Sequence, residues 1–421
     1  MDDTLTAALR RRHLLWLLLT VLALAGPAPA AAAREATAAG ADPSGAAAAV
    51  ATGEMPIIAY MGVPDWRTTD ADFRLLSECG FTVSLYPYRS LDLLVKACRT
   101  AHKYGVKVLA PCPEMTKDPV KAATTLKGES GFFGYMLQDE PTVVQLAERE
   151  SELQRLKRID STHCFYINLL PHYGEEWLPI NTVSKYKRYV KAAAEMSTQQ
   201  LSFDHYSITK NGLRSTWYHN LEMIRSESLA SGKPFWAFVL SVPHHVYPMP
   251  TLATMRLQAY SNLAYGAQAI QYFTYWTPGP DEGFDYHDAP VTHQGVKTKT
   301  YAVVQQMNRE LRQVARLFYG ARVTAVNHLV TIPEGTTRLQ TLPAGIKTLK
   351  VTGRKGALVS QFRKDGHQYM AIVNKNYEQT MKVRIKLNNS TPRRLTKQLA
   401  EETVASSYTV QPGDILLFRL K

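Results

Sequence analysis

Cysteine is scarce in this chain: four among 421 residues, at Cys79, Cys98, Cys112 and Cys164. None of their intervals makes a CxxC pair or a Cys/His set with metal-ligand spacing, so neither a zinc module nor a disulfide framework is indicated. Cysteines this sparse are more often small buried hydrophobes. Cys79 and Cys98, placed near successive helices, are the one pair whose bridging is worth checking. Long apolar runs are also few. Beyond the first 30 residues no segment is long and charge-free enough to cross a bilayer, which takes about 20 residues. No membrane span is expected. There is no Gly-rich phosphate loop after the first strand, no GxSxG elbow and no HExxH helix, which removes dinucleotide binding, serine-hydrolase chemistry and a metalloprotease centre. His205, His244 and His245 have no partner spacing that supports a metal. No cofactor is expected.

Acidic residues are outnumbered, with 36 Asp and Glu against 49 Lys and Arg, for a net charge of +13. A basic balance can signal nucleic acid or another anionic polymer. Here the basic residues are scattered over helices and C-terminal strands without a nucleic-acid-binding motif, so a solvated basic surface is the simpler reading and no nucleic acid partner is expected. An acidic polysaccharide remains open. Oligomeric state is not legible.

At the start, Arg10-Arg11-Arg12 precede the apolar run Leu14 to Ala25, and Ala28-Pro29-Ala30 offers a small-x-small cleavage site. That order predicts a signal peptide over 1–30, cleaved after Ala30, and a secreted or periplasmic product. Residues 31–53, rich in Ala and Gly, read as a flexible linker.

From 54 to 322, short apolar runs alternate with amphipathic ones. Strands are predicted at 56–62, 81–87, 106–113, 131–139, 164–170, 200–206, 234–240 and 269–276. Helices follow each, the last at 298–319. Eight strand–helix units without tandem strands indicate a parallel sheet covered on its outside, and their number and length match a (β/α)8 TIM barrel. After it the texture changes. Residues 323–421 carry strand-like runs at 349–354, 357–363, 368–374, 381–387 and 415–420, a hairpin signal at Lys364-Asp365-Gly366-His367 and a turn at Gln411-Pro412-Gly413-Asp414. They predict a small antiparallel β-sandwich. Asn388-Asn389-Ser390-Thr391 contains overlapping glycosylation acceptor patterns.

The most informative stretch is the fourth strand, Gly131-Phe132-Phe133-Gly134-Tyr135-Met136-Leu137-Gln138-Asp139-Glu140-Pro141. An apolar run ends abruptly in two carboxylates, tolerable only where the strand leaves the core. In a parallel barrel that end is where active sites are built; the plainer alternative is a helix N-terminus favouring acidic residues. Other strand ends supply Tyr60 and Trp66, Tyr86, Glu114, Asn168 with His172 and Tyr173, Asp204 with His205 and Tyr206, Ser241 with His244, and Tyr275 with Trp276 before the acidic loop Asp281, Glu282 and Asp285. Aromatic faces stack on sugar C–H faces while carboxylates and amides bind hydroxyls. The collection fits a carbohydrate substrate, and glycoside hydrolysis uses a protonated carboxyl with an ionised second one.

With Asp139-Glu140-Pro141 ending strand 4, Tyr275-Trp276 ending strand 8 and Tyr301 with Asn308-Arg309-Glu310-Leu311 in the last helix, the chain resembles clan A glycoside hydrolases of the beta-galactosidase type over about residues 55–320. The resemblance implies a glycosidase with Glu140 as general acid/base, although Asp139 replaces the usual Asn. It also implies a nucleophilic Glu at the end of strand 7, where this chain has Leu240-Ser241-Val242-Pro243. The second carboxylate must then come from elsewhere, with Asp204 best placed, Glu114 and the strand-8 loop next, and Asp139–Asp204 a variant pair. Otherwise the substrate assists its own cleavage, or the barrel binds carbohydrate without cleaving it. Strand spacing predicts a Glu140–Asp204 separation of about 6.5–9.5 Å, the inverting range. Regular strand alternation predicts that Asp139 and Glu140 do not both point inward.

Overall fold

The computed structural model describes residues 53–172, 180–279, 284–388 and 391–421. The predicted signal peptide, nearly all of the linker, Tyr173, the acidic pair Asp281 and Glu282, and two acceptor-pattern residues, Asn389 and Ser390, lie outside them.

Eight parallel strands form the first sheet: β1 (Ile57–Tyr60), β2 (Val83–Leu85), β3 (Lys107–Ala110), β4 (Phe132–Asp139), β5 (Cys164–Asn168), β6 (Leu201–Phe203), β7 (Phe235–Leu240) and β8 (Ala269–Phe273). Their spatial order is β5-β4-β3-β2-β1-β8-β7-β6, and a parallel bridge between Leu169 and Phe203 joins the two edges. The fold is a TIM barrel. Strands buried on both faces need apolar residues at every position, which is why they read as continuous runs rather than alternating ones.

The eight outer helices are α1 (Asp70–Glu78), α2 (Leu91–His102), α3 (Pro119–Leu126), α4 (Val143–Lys157), α5 (Val183–Glu195), α6 (Trp217–Ser231), α7 (Leu252–Tyr265) and α8 (Lys299–Phe318). Most begin on a side-chain cap, such as Thr69, Ser90, and Asp118 followed by Pro119. Each cap satisfies an otherwise orphaned N–H and fixes where the helix leaves its loop. Thr142 caps α4, reciprocally with Gln145. The cap is therefore not Asp139 or Glu140, and the plainer reading of those two carboxylates falls away.

Beyond the barrel, antiparallel strands form a six-stranded and a three-stranded sheet. Val359, Met370, Ile372 and Phe418 of the larger sheet share one core with Val383, Ile385 and Val410 of the smaller, as in a β-sandwich. Asp365 and Gly366 both have positive φ, as a two-residue type I′ hairpin requires. The sandwich also contains strands absent from the sequence reading, including Arg322–Val330, Arg393–Leu395, Glu401–Thr403 and Ser407–Val410. Leu358, Phe362, Ala371 and Leu417 pack into the barrel's outer core. Beside them Arg256 on α7 and Lys397 of the sandwich both bind Glu310 on α8, at 2.5 and 2.7 Å. All four cysteines are buried free thiols, Cys79 and Cys98 included.

Candidate active site

β4 and β5 run side by side with Asp139 opposite Asn168. Gly134 permits this approach, because a Cβ there would sit 2.2 Å from the Cys164 carbonyl oxygen. The pairing slips between Met136 and Gln138, a bulge-like irregularity of the kind that re-aims side chains. Glu140, the next residue after the strand, has φ of 47°. A non-glycine residue in this region is strained and is held only by its surroundings. Its N–H donates to the Asn168 carbonyl at 2.8 Å, and Tyr189 from α5 donates to the Pro141 carbonyl at 2.8 Å.

The left-handed turn defeats strand alternation. Asp139 and Glu140 both join Asp204, the residue after β6, in one carboxyl cluster. Asn168 stands between them, its Nδ2 donating to Asp139 Oδ1 and to Asp204 Oδ1, each at 3.2 Å. Tyr60 donates to Asp139 Oδ2 at 2.6 Å. Glu140 and Asp204 share a side-chain hydrogen bond, and Tyr206 also bonds Asp204. Two carboxyl groups in such contact are closer than the inverting range expected from strand spacing, so that expectation is corrected.

The electrostatics follow. Asp204 and Asn168 are buried, whereas Asp139 and Glu140 keep a partly solvent-exposed side. Desolvation pushes all three carboxyls upward. Glu140 rises well above its ordinary range, by burial and then the adjacent charges of Asp204 and Asp139. Asp204 is pushed up to about 7, chiefly by burial and then by Asp139. Asp139 rises through burial, opposed by its hydrogen bonds from Tyr60 and Asn168. Glu140 is therefore the proton holder and Asp139 the carboxyl best supported in its charged form.

The other predicted residues divide. Trp66, half exposed, meets Tyr86 edge-on at 5.7 Å on the β1–β2 side of the mouth. Across it, Tyr206 packs on Phe273 and Tyr247, and His244 on Tyr247 and Tyr286, both at 4.7 Å. Burial pushes His244 down to about 4 and His205, bonded to Thr216, down to about 3, so both are neutral. His172 is buried against Tyr186.

Three further predicted residues make their contacts elsewhere. Glu114 accepts the Leu91 N–H at 3.0 Å, at the first turn of α2. Tyr275 points outward and packs against Phe81 in the core between barrel and helices. Trp276 is buried beneath the Arg67 guanidinium, its Nε1 donating to the His293 carbonyl. The α8 motif is scaffold too: Asn308 donates to the Cys79 carbonyl and Tyr301 to that of Leu75. Asp285 accepts the His245 N–H at 2.6 Å, between the loops that follow β8 and β7. Sequence reasoning missed Tyr247, Phe273 and Tyr286; the aromatic run through 272–276 was visible, but its inward members were not separable from its outward ones. It also missed Ser202 and Gln271, two buried polar residues inside otherwise apolar strands. A cavity of about 280 Å³ opens at the opposite end of the barrel beside Met55, Thr82, Arg312 and Tyr319, away from all of these residues. No group of His, Cys, Asp and Glu among the described residues has metal-binding geometry.

A family model described as beta-galactosidase, glycoside hydrolase family 42, matches residues 154–314, which include Asn168 and Asp204 but not the β4 carboxylates. No curated protein matches. Among solved structures, a GH42 beta-galactosidase from G. stearothermophilus aligns with a TM-score of 0.60 at 9% identity, over 88% of this chain and 99% of that one. The beta-galactosidase from Bacillus circulans sp. alkalophilus gives 0.58 at 11%, over 87% and 99%. A glycoside hydrolase family 5 protein from Bacteroides vulgatus gives 0.55 at 11%, over 87% and 88%. At such identities the likeness is one of fold. In fold and in its matched segment, the chain resembles the clan A barrel glycoside hydrolases of the beta-galactosidase type.

Proposed function

We propose that the protein is an exported glycoside hydrolase that cleaves a glycosidic bond of an oligo- or polysaccharide by carboxylate acid/base catalysis. The observation that carries this reading is the carboxyl cluster at the ends of β4 and β6, in which Glu140 shares a hydrogen bond with Asp204. Glu140, held protonated, donates to the leaving oxygen. Asp139, whose charged form is supported by hydrogen bonds from Tyr60 and Asn168, faces the positive charge that develops at the anomeric carbon, where water adds and returns a proton to Glu140. Asp204 keeps the proton on Glu140 by making its charged form unfavourable. The aromatic groups on both sides of the mouth, Trp66 with Tyr86 and Tyr206 with Tyr247 and Tyr286, offer faces and edges for sugar rings, while His172, His205 and His244 offer polar contacts. Export rests on the basic start, apolar run and small-residue site within 1–30.

A panel of nitrophenyl glycosides and oligosaccharides, assayed with the wild type and Glu140→Gln, tests the activity. Turnover that falls by about 10²–10⁴-fold in the variant, the usual worth of a general acid, supports it. Undiminished turnover in Glu140→Gln overturns the assignment. A second reading, a carbohydrate-binding barrel without turnover, is favoured by the end of β7, where Leu240 and Ser241 bring no carboxylate; sugar binding without hydrolysis on the whole panel would select it. Intact mass of the exported product tests the leader: a chain beginning at Ala31 is expected, and one retaining Met1 contradicts it.

A further inference from the structure

Below the carboxyl cluster, the barrel interior is not uniformly apolar. Tyr166 on β5, Ser202 on β6 and Gln271 on β8 are all buried, in a space otherwise filled by residues such as Ile58, Leu85, Phe133 and Trp236. Their hydrogen bonds run in one direction. Tyr166 donates to Gln271 Oε1 at 2.8 Å, and Gln271 Nε2 donates to Ser202 Oγ at 2.8 Å. Ser202 Oγ then donates to Asn168 Oδ1 at 3.0 Å; it also lies 3.2 Å from the Tyr166 hydroxyl, whose own proton is committed to Gln271. With its carbonyl engaged from below, Asn168 has only N–H to offer above, and both hydrogens meet carboxyl oxygens. The reverse amide orientation would set a carbonyl oxygen against Asp139 and Asp204. Buried polar groups destabilise unless fully paired, and a barrel interior is ordinarily filled by branched apolar side chains. Packing alone does not call for this run.

We infer that Ser202 and Gln271 are positioning residues: they lock the Asn168 amide so that both its hydrogens face the carboxyl cluster, and thereby set how protons are shared among Asp139, Glu140 and Asp204. The inference deepens the hydrolase reading, because the groups positioned are those assigned to acid/base work. The titratable groups facing Asp139 and Asp204 are Glu140 from β4, Tyr60 from β1, Tyr166 from β5, Tyr206 beyond β6, and Tyr186 and Tyr189 from α5. All but Glu140 are phenols, and burial holds Tyr60, Tyr166, Tyr186 and Tyr189 neutral, so their charge does not change through the acid range. Asn168 lowers the titration of both Asp139 and Asp204. Loosening it therefore moves both upward.

The test is a carboxyl titration by NMR on the full chain carrying ¹³C-labelled Asp, with Asp139→Asn and Asp204→Asn assigning the two signals. In Ser202→Ala both titrations are expected to rise by about 0.5–1 pH unit, the equivalent of one hydrogen bond. Ser202→Thr, which keeps a hydroxyl, returns them to wild-type values. Gln271→Met, one step further away, moves them the same way by less, and serves if Ser202→Ala does not fold. Unchanged titrations in folded Ser202→Ala, or in folded Gln271→Met should the first be lost, overturn the inference. The readout needs no substrate. A shifted titration in a protein that hydrolyses nothing retains the inference and removes the hydrolase reading; glycoside turnover with unshifted titrations does the reverse.

Discussion

The ends of β4 and β7 hold the two positions at which the clan A resemblance calls for a carboxylate, and they differ in every respect that matters for chemistry. β4 ends in Asp139 and a left-handed Glu140, drawn with Asp204 around one asparagine amide. β7 ends in Leu240 and Ser241, buried, with the serine hydroxyl donating to the Thr274 carbonyl at 2.8 Å. Beyond it lie His244, Tyr247 and their aromatic neighbours. One side of the mouth stores charge and protons; the other presents rings. On the proposed hydrolase reading, the acid/base work falls to β4 and β6, and the β7–β8 side is left to hold the substrate.

The largest effect that tests this division is on turnover. Asp139→Asn is expected to lower kcat/KM by about 10²-fold or more, within the range for a group acting on the reacting centre. Ser241→Ala is expected to stay within a few fold. Equal losses in the two variants would erase the distinction between the sides. Next comes the backbone approach that places Asp139 opposite Asn168. Gly134→Ala forces a methyl group against the Cys164 carbonyl and is expected to destabilise the fold by about 1–3 kcal/mol. Urea unfolding measures it, and an unchanged midpoint would contradict the close packing of β4 on β5.

Smaller effects come from pH. The folded-state titration of Asp204 lies near 7, above the ordinary 3.8. The folded protein thus binds the extra proton between those values, and stability contributed by the protonated group is lost as pH rises through about 7. Asp204→Asn, which cannot ionise, is expected to raise Tm by about 1–2 °C at pH 8 and to leave it nearly unchanged at pH 4, for relief of roughly 1 kcal/mol. A larger gain at pH 4 than at pH 8 would contradict the sign. Smallest is the ring-bearing side. Tyr286→Ala is expected to raise KM about three- to tenfold with kcat within twofold, as loss of uniform binding does. A fall in kcat alone would place that residue among the acid/base groups.

Much of this was legible in the chain. Eight buried strands announced the barrel because both faces of each are covered. The abrupt end of β4 marked the candidate site because carboxylates have no place further inside. What sequence could not supply was local geometry. Strand alternation put Asp139 and Glu140 on opposite faces, and the register slip after Met136 with the positive φ of Glu140 brings them together. The same alternation could not tell that Tyr275 turns outward while Phe273 turns toward the mouth. Glu114 looked like a strand-end carboxylate because nothing in its neighbours signals that its oxygen meets the Leu91 N–H. The short sandwich strands Arg393–Leu395 and Glu401–Thr403, the second of them the edge of its sheet, are mostly polar and have no apolar run to mark them.

The central claim is that the β4–β6 side stores a proton at neutral pH, on Glu140 in its hydrogen bond with Asp204. Infrared difference spectroscopy of the wild type against Glu140→Gln at pH 7 measures it directly through the C=O stretch of a protonated carboxyl. A band present in the wild type and missing from the variant is the result expected. Spectra in which every carboxyl of the wild type is ionised at pH 7 would contradict it.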